Sequence, residues 1–251
     1  MGFWPVVNNV LRKADIILII LDARMPELSR NKEIEEKIYR SGKKFVLVFN
    51  KIDLIGEKEK KELRENYGDG FFVSGVKNIG ISNLKREMQI MAKRLHLGED
   101  FWIGVVGYPN VGKSSVINAL AKRASAKTGK FAGTTKGSQW VRAGGLKVID
   151  SPGVIPFDEK GVRLGLLGAR DPEKLRVPEQ ATDKLIKLFV EKGKLKNLSD
   201  FYKVNLISED SYEILLSIGQ KRGFLMKGGI VDERKTAIKI LRDWQQGKLR
   251  L

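Results

Sequence analysis

A chain of 251 residues, of which 42% are hydrophobic, is long enough to bury the core of one large domain or of two modest ones. It has no cysteine and a single histidine, which excludes disulfides, thiolate metal sites and clusters of histidine ligands. The longest apolar run, Ile16 to Leu21, is too short to cross a bilayer, and no secretory pattern is present at the N-terminus. We therefore expect a cytoplasmic protein that does not enter a membrane.

The formal net charge of +17 indicates a polyanionic partner, above all nucleic acid, although a solvated basic surface is the alternative. The charge is unevenly distributed, because residues 101–149 contain no Asp or Glu. The basic residues of this stretch are Lys113, Lys122, Arg123, Lys127, Lys130, Lys136, Arg142 and Lys147. A bound triphosphate would account for Lys113 but does not need all the other cations.

The first part of the chain alternates between apolar runs and amphipathic segments. Ile16 to Leu21 and Phe45 to Phe49 are continuous apolar runs, which are typical of strands covered on both faces, and Phe71 to Val73 predicts a third, short strand. Four helices are predicted in this part of the chain. The first ends near Ala14, the second runs from Asn31 to Tyr39 with Ser29 or Asn31 as its cap, the third covers about 57–66, and the fourth runs from about Ser82 to Leu95. Such alternation predicts a mainly parallel α/β sheet with right-handed crossovers and helices on both faces.

Polar residues that suit a guanine base follow two of these strands. The carboxylate of Asp53 can accept hydrogen bonds from guanine N1–H and from the exocyclic amino group, a pair that adenine does not offer. Asn50 would contact the far edge of the base and tie the loop to its neighbours, while the stem of Lys51 would cover one face of the ring. Ser74 and Gly75 would supply backbone contacts to the guanine carbonyl. A solvated turn and a plain strand end are the alternatives for these two segments.

The stretch Gly107 to Ser114 fits the phosphate-loop pattern of glycine, four residues, glycine, lysine and serine. A predicted strand, Trp102 to Val106, precedes it and a helix start follows it, as the pattern requires. Backbone N–H groups in such a loop wrap phosphate oxygens, the lysine reaches the β- and γ-phosphates, and the serine hydroxyl binds Mg²⁺. The residues that we expect to bind the phosphates are Asn110, Val111, Gly112, Lys113, Ser114 and Ser115.

Two further segments complete a predicted nucleotide site. Thr135, or alternatively Thr134, would place a second hydroxyl on Mg²⁺, and Asp150 would support the metal ion through water. The N–H of Gly153 would reach the γ-phosphate, where a glycine permits close backbone approach. Asp150 ends the second strand of a predicted pair, Gln139 to Arg142 and Leu146 to Ile149, and an ordinary strand-ending turn is the alternative for it.

The order of these motifs is reversed relative to a conventional GTPase, in which the phosphate loop comes first and the base-binding loops come last. We interpret the order as a circular permutation, with the old ends joined near Leu97 to Asp100 and new ends after Gly153. Two separate half-domains would each leave an unpaired sheet edge and half a site, whereas one permuted domain has neither fault.

The pattern changes to helices alone after Pro178. Helices are predicted at Gln180 to Lys192, Tyr212 to Gln220 and Glu233 to Gln246, with Gly228 and Gly229 in the turn between the last two. We therefore predict a permuted phosphate-loop GTPase domain over residues 1–170 and a small all-helical domain over residues 171–251. Candidate RNA contacts in the helical domain are Lys192, Lys194, Lys196, Lys221, Arg222 and Lys227.

The sequence resembles the YlqF/RbgA family of circularly permuted ribosome-assembly GTPases over nearly its whole length. The resemblance covers Leu21 to Pro26, all the GTPase motifs in permuted order, Gln139-Trp140, and a C-terminal stretch with Lys221-Arg222-Gly223, Lys227-Gly228-Gly229 and Leu241-Arg242-Asp243. It implies that GTP is bound and hydrolysed to GDP with Mg²⁺, often assisted by K⁺. It also implies work on the large ribosomal subunit, or its precursor, and its ribosomal RNA; we expect a monomer.

Departures from the family pattern bear on catalysis. Gly2 to Pro5 lacks the histidines that bacterial members carry in the N-terminal segment, Gly75 stands where alanine often follows the serine, and Ala132 stands where proline is usual. Val154 occupies the position after Asp-x-x-Gly where conventional GTPases often use a glutamine to orient water, so we expect slow intrinsic hydrolysis. Asn110 resembles the asparagine that supports K⁺ in related GTPases, and a turn-capping asparagine is the alternative.

These features assign the catalytic roles to Lys113, Asn110, Thr135 and Gly153, with Ser114, Thr135 and Asp150 on Mg²⁺ and Asn110 on K⁺. Two other functions fit the same motifs. One is a GTP-gated RNA-binding switch that hydrolysis merely resets, and the other is a GTPase that acts on tRNA or another RNA.

Overall fold

A computed structural model of the chain describes residues 3–98, 100–122, 139–143, 146–151 and 161–251. Contacts within the chain divide it into two compact units, residues 1–157 and 158–251. Among the described residues, no helix is both long enough and apolar enough to span a bilayer.

The first unit is built on one six-stranded sheet of the order β3-β2-β1-β4-β6-β5. The strands are β1 (Ile16–Asp22), β2 (Lys44–Asn50), β3 (Phe71–Phe72), β4 (Trp102–Val106), β5 (Gln139–Ala143) and β6 (Leu146–Asp150). The first four strands and β6 are parallel, and β5 pairs antiparallel with β6 at one edge. All seven residues of β1 are buried, as its unbroken apolar run predicts for a strand covered on both faces.

The helices of this unit are α1 (Phe3–Lys13), α2 (Pro26–Ser29), α3 (Lys32–Arg40), α4 (Glu57–Asn66), α5 (Ile81–Arg94) and α6 (Lys113–Lys122). Asn31 caps α3, because its side-chain oxygen accepts a hydrogen bond from the N–H of Ile34 at 3.1 Å. Ser29, the other predicted cap, instead ends α2. The elements predicted from periodicity are therefore confirmed to within one or two residues, and α2 is an additional turn of helix.

The pairing of β1 with β4 joins the two halves of the chain in one sheet. Ile16 to Ile19 of β1 run beside Ile103 to Val106 of β4. Four strands from before the phosphate loop and two from after it therefore share a single hydrogen-bonded sheet. Two incomplete domains would not make this pairing, so the permuted arrangement is confirmed.

The second unit consists of helices: α7 (Gly161–Leu166), α8 (Pro178–Glu191), α9 (Leu195–Tyr202), α10 (Ser211–Lys221) and α11 (Glu233–Gln245), with a 3₁₀ turn at Pro172–Lys174. Its core surrounds Trp244, which is fully buried, packs edge-on against Phe189 at 5.9 Å and donates its indole N–H to the Leu166 carbonyl at 2.9 Å. The helices α7 and α9 were not expected from the sequence. Because α7 packs on α8 and α11, the expected boundary at residue 170 falls inside this helical unit.

Candidate functional site

The sequence motifs lie at the carboxyl ends of neighbouring strands. Asp22 ends β1, Asn50 ends β2, Ser74 follows β3, Gly107 follows β4 and Asp150 ends β6. These five strands are parallel, so their carboxyl ends meet at the same edge of the sheet. Chain order also reverses between β1 and β4, which is where open α/β sheets form ligand-binding crevices.

The phosphate loop connects β4 directly to α6, as the sequence predicted. Gly112 has a φ of +95°, and a Cβ at this position would lie 2.1 Å from the side-chain nitrogen, Nδ2, of Asn50, so only glycine fits. Asn110 also has a positive φ, +60°, and is exposed. The N-terminus of α6 follows, and its free N–H groups and helix dipole favour a bound anion.

Lys113 is held inside this loop. The residue is only 6% exposed, and its Nζ donates to the carbonyls of Gly107 at 3.1 Å and Tyr108 at 2.8 Å. Ser114 is exposed in the first turn of α6, whereas the Ser115 hydroxyl donates to the Gly112 carbonyl at 2.7 Å. The loop therefore carries an exposed serine and a buried lysine whose ammonium group is hydrogen-bonded to two carbonyls of the same loop.

Asn50 links the base-binding loops to the phosphate loop. Its Nδ2 donates to the Val111 carbonyl at 2.9 Å, and its Oδ1 accepts from the N–H of Gly75 at 3.0 Å. The residue is 2% exposed, so the hydrogen bond to Val111 is buried and the one from Gly75 is partly buried. The prediction that Asn50 ties its loop to the neighbouring loops is confirmed, and three motifs far apart in the sequence meet at this one side chain.

Gly75 lies directly on the first turn of α6. A Cβ at this position would be 2.6 Å from the carbonyl carbon of Ser115 and 2.8 Å from the Val116 nitrogen. Ser74, which is buried, shapes the loop, since its hydroxyl accepts from the N–H of Lys77 at 3.0 Å. The N–H of Gly75, which the sequence suggested for the guanine carbonyl, is bonded here to Asn50.

A buried ionic cluster adjoins the base-binding loop. The carboxylate of Asp22 accepts from the Arg24 guanidinium at 3.1 and 2.9 Å and from Lys51 Nζ at 2.7 Å. Asp22 and Arg24 are 2% and 5% exposed. This cluster was not predicted from the sequence, although an Asp that ends a buried strand two residues before an Arg is a usable signal for it.

Opposing effects act on the pKa values of this cluster. Burial alone would raise the pKa of Asp22, but the nearby charges of Arg24 and Lys51 and their hydrogen bonds outweigh it and hold this pKa far below its usual value. Burial lowers the pKa of Lys51, and the attraction of Asp22 offsets this only in part because the Arg24 charge repels the ammonium group. Asp22 is therefore ionised throughout the neutral pH range.

For the remaining predicted site residues, the structure gives the position of Asp53 and the backbone pairing of Asp150. Asp53 lies half-buried in a 3₁₀ turn, Ile52–Leu54, directly after Lys51. Asp150 pairs through its backbone with Val105 of β4, and the next residue, Ser151, donates its hydroxyl to the Val105 carbonyl at 2.6 Å. The roles expected for Thr134, Thr135, Gly153 and Val154 fall on positions outside the described residues, as do the departures at residues 2 and 132.

The candidate RNA contacts of the helical unit differ in their surroundings. Lys196 forms an ion pair with Asp200 one turn along α9 at 2.9 Å, and the Arg222 guanidinium lies 5.3 Å from the centre of the Tyr202 ring. Lys221 and Arg222 end α10, and Lys227 lies in the loop that leads to α11. Lys192, Lys221, Arg222 and Lys227 are exposed, and Lys194 is half-buried.

The loop between α10 and α11 is folded as a short hairpin that the sequence did not reveal. Leu225 and Val231 form a β-bridge, and the Met226 N–H donates to the Ile230 carbonyl at 2.7 Å. Leu225, Met226 and Ile230 are 43%, 53% and 63% exposed. Apolar side chains therefore accompany the basic residues of this surface.

Comparison with known proteins agrees with this geometry. Residues 102–211 match a family described as 50S ribosome-binding GTPase. The chain is 38% identical to the uncharacterized GTP-binding protein MJ1464 of Methanocaldococcus jannaschii over 97% of its own length and 65% of that protein. It is 32% identical to ribosome biogenesis GTPase A of Bacillus cereus, over 97% of this chain and 86% of that protein. The chain thus spans about two thirds of the archaeal relative and most of the bacterial one.

Solved structures show the same fold. The crystal structure of GNP-bound YlqF from T. maritima is 21% identical and superposes with a TM-score of 0.60, covering 98% of this chain and 94% of that one. The GDP-bound structure of the same protein gives 0.61. The permuted motif order, the single sheet that carries it and the match along nearly all of a ribosome biogenesis GTPase A place the chain in the YlqF/RbgA family of circularly permuted GTPases.

Proposed function

We propose that the protein binds GTP and GDP at the carboxyl edge of the sheet, hydrolyses GTP, and uses this cycle in assembly of the large ribosomal subunit. The observation that carries the proposal is the convergence of three motifs on Asn50, which brings the base-binding and phosphate-binding halves together. The names of the bacterial relatives, ribosome biogenesis GTPase A, support the assembly role.

The described residues fit a guanine nucleotide. Gly112 keeps the phosphate loop close to α6, and Lys113 is within the loop, ready to exchange its carbonyl partners for phosphate oxygens. Asp53 would read the guanine edge, with Ser74 and Gly75 beside it. The exposed hydroxyl of Ser114, with Thr135 and Asp150, would hold Mg²⁺, which would neutralise phosphate charge when bound.

Hydrolysis would be slow without a partner, because valine at position 154 cannot hold a water molecule. Gly153 would contact the γ-phosphate through its N–H, and Asn110 would support K⁺ close to the phosphates, where a cation stabilises developing negative charge. Asn110 is exposed and lies in the phosphate loop with a left-handed backbone, which supports this role. GTP turnover in potassium should exceed that in sodium, and equal rates would remove the cation role.

The helical unit would bind ribosomal RNA through its basic residues, mainly by contacts to phosphates. In the sequence, residues 150–154, which would sense the γ-phosphate, lead directly into this unit, so loss of the γ-phosphate would release the Gly153 contact and change how the unit binds RNA. RNA affinity should therefore differ between complexes with a GTP analogue and with GDP. We propose that the protein acts in the cytoplasm as a monomer.

The decisive experiment is stimulation of GTP hydrolysis by purified ribosomal particles. Large subunits should raise the turnover rate, and small subunits and tRNA at equal RNA concentration should not. Stimulation by tRNA alone would favour a GTPase that acts on another RNA, and nucleotide-dependent RNA binding without stimulated turnover would favour a simple switch.

A further inference from the structure

The lysine of the base-binding loop is held by a partner outside the GTPase motifs. Lys51 donates from Nζ to Asp22 Oδ2 at 2.7 Å, across two neighbouring strands in which Asp22 pairs with Asn50. The side chain of Lys51 is 17% exposed and that of Asp22 is 3% exposed. The ammonium group of Lys51 is thus bonded to a buried carboxylate.

The cluster contains more buried charge and more backbone strain than a structural ion pair requires. Arg24 alone neutralises Asp22 through a bidentate contact, so adding Lys51 places a second cation on one carboxylate and leaves one net positive charge among the three side chains. Lys51 also has a φ of +70°, an unfavourable backbone conformation for a residue with a side chain. Desolvation and backbone strain that coincide at one residue are typical of functional positions.

We propose that Asp22 is a positioning residue for nucleotide binding: with Arg24 as its support, it anchors the Lys51 ammonium and so orders the lysine stem that covers the guanine ring. This inference rests on the proposed function. Arg24 fixes the carboxylate, because its guanidinium occupies both oxygens and its own N–H donates to Asp22 Oδ1 at 3.1 Å. A stem that is ordered in advance loses less rotamer freedom on binding, which strengthens affinity without a new contact.

The turn after β1 keeps the anchor in place. The N–H of Asp22 donates to the Ser29 hydroxyl at 3.0 Å, and that hydroxyl donates to the Met25 carbonyl at 3.0 Å. The N–H of Ala23 donates to the Asn50 carbonyl at 2.8 Å. Asp22 is therefore bonded to the turn, and its neighbour Ala23 is bonded to the base-binding strand, in which Asn50 is the register partner of Asp22.

The test uses Asp22→Asn, with Asp15→Asn as the matched control. Asp15 lies at the opposite, amino end of β1, where its carboxylate accepts from the Trp102 N–H at 2.7 Å, an acceptor role that asparagine retains. Binding of fluorescently labelled GDP should weaken about tenfold in Asp22→Asn, while Asp15→Asn binds like the wild type. The turnover number at saturating GTP should stay within about twofold of wild type, because Asp22 orders binding and not the reacting groups.

A double-mutant cycle separates loss of Lys51 positioning from a general loss of structure. Lys51→Met keeps the stem and the Asp22–Arg24 pair but removes the anchor, so it should weaken GDP binding, and adding Asp22→Asn should weaken it no further. Additive losses, or unchanged affinity in Asp22→Asn, would overturn the inference. If Asp22→Asn does not fold, unchanged GDP affinity in Lys51→Met is enough to overturn it. Wild-type protein that binds no GDP would contradict the proposed function itself.

Discussion

At Gly75, the backbone of α6 leaves no room for a Cβ atom. The family often has alanine at this position, yet a Cβ would lie 2.6 Å from the backbone of Ser115. Gly75→Ala should therefore lower the free energy of unfolding by about 1–3 kcal/mol and weaken nucleotide binding, since the loop must move off α6. Urea denaturation measures the first effect and GDP titration the second.

Gly98→Ala is the control for this change, because nothing lies within 4 Å of a Cβ added there. It should be neutral or slightly stabilising, since alanine restricts the unfolded chain. Equal stability of the two variants would mean that the loop at Gly75 stands away from α6.

The Asp22 cluster predicts a pH dependence of stability. The pKa of Asp22 is held below its unfolded value of about 4, so its stabilising contribution is complete above that value and is lost as pH falls toward the folded pKa. At pH 7, Asp22→Asn should cost about 3–5 kcal/mol, because it leaves buried cations uncompensated. The gap in unfolding free energy between wild type and variant should narrow below about pH 4. A gap that stays constant down to pH 3 would contradict the assignment.

Residue roles were predictable where a motif specifies the chemistry, and less predictable where the packing of strands and loops determines which side chains meet. The linking role of Asn50 followed from its place after a strand, and the structure confirms it. The contact of Lys51 with Asp22 depends on strand register, which sequence periodicity does not supply. The hydrogen bond from Gly75 to Asn50 likewise depends on how two loops approach each other.

At the scale of elements, α1 matters because it covers the strand that leads into the phosphate loop. Val10 is fully buried, and a Cβ on Gly104 of β4 would meet its methyl group at 2.5 Å. Val10→Ala should reduce the free energy of unfolding by about 2 kcal/mol through lost burial and a small cavity. Val76→Ala, at a side chain that is 78% exposed, should change it by less than about 0.5 kcal/mol in the same denaturation experiment. Similar losses in both would place α1 off the sheet.

The elements that were easy to predict are those with strong periodicity or long apolar runs. The strands β1, β2 and β4 and the helices α3, α4 and α5 fall where these patterns place them. The short helices α7 and α9 and the hairpin after α10 were missed. They are short, and tertiary contacts such as the Trp244 hydrogen bond to Leu166 contribute to their stability more than local propensity does.

At the scale of the whole molecule, motif order was enough to predict the permutation, and pairing of β1 with β4 explains why it is tolerated. The sheet places strands from both sides of the phosphate loop side by side, so the motifs lie along one edge. In the sequence, the residues that follow β6 lead into the helical unit, so we expect the nucleotide state to affect RNA binding by that unit. RNA binding by that unit remains a prediction from charge.

Charge-removal variants test this prediction. Lys221, Arg222 and Lys227 are exposed around the end of α10 and its hairpin, and changing all three to glutamine should weaken binding to ribosomal RNA. Each lost phosphate contact should also reduce the slope of log affinity against log salt by about 1. Filter binding or anisotropy at several salt concentrations measures both quantities.

The matched control changes Lys58, Lys61 and Arg86 to glutamine, which removes the same charge from exposed positions on α4 and α5. Its salt slope should stay at the wild-type value, because long-range attraction is screened beyond about 10 Å at 0.1 M salt while direct contacts are not. An equal fall in slope for both triple variants would show that net charge alone draws the protein to RNA. A fall confined to the α10 variant would assign the RNA contact to the end of α10 and its hairpin.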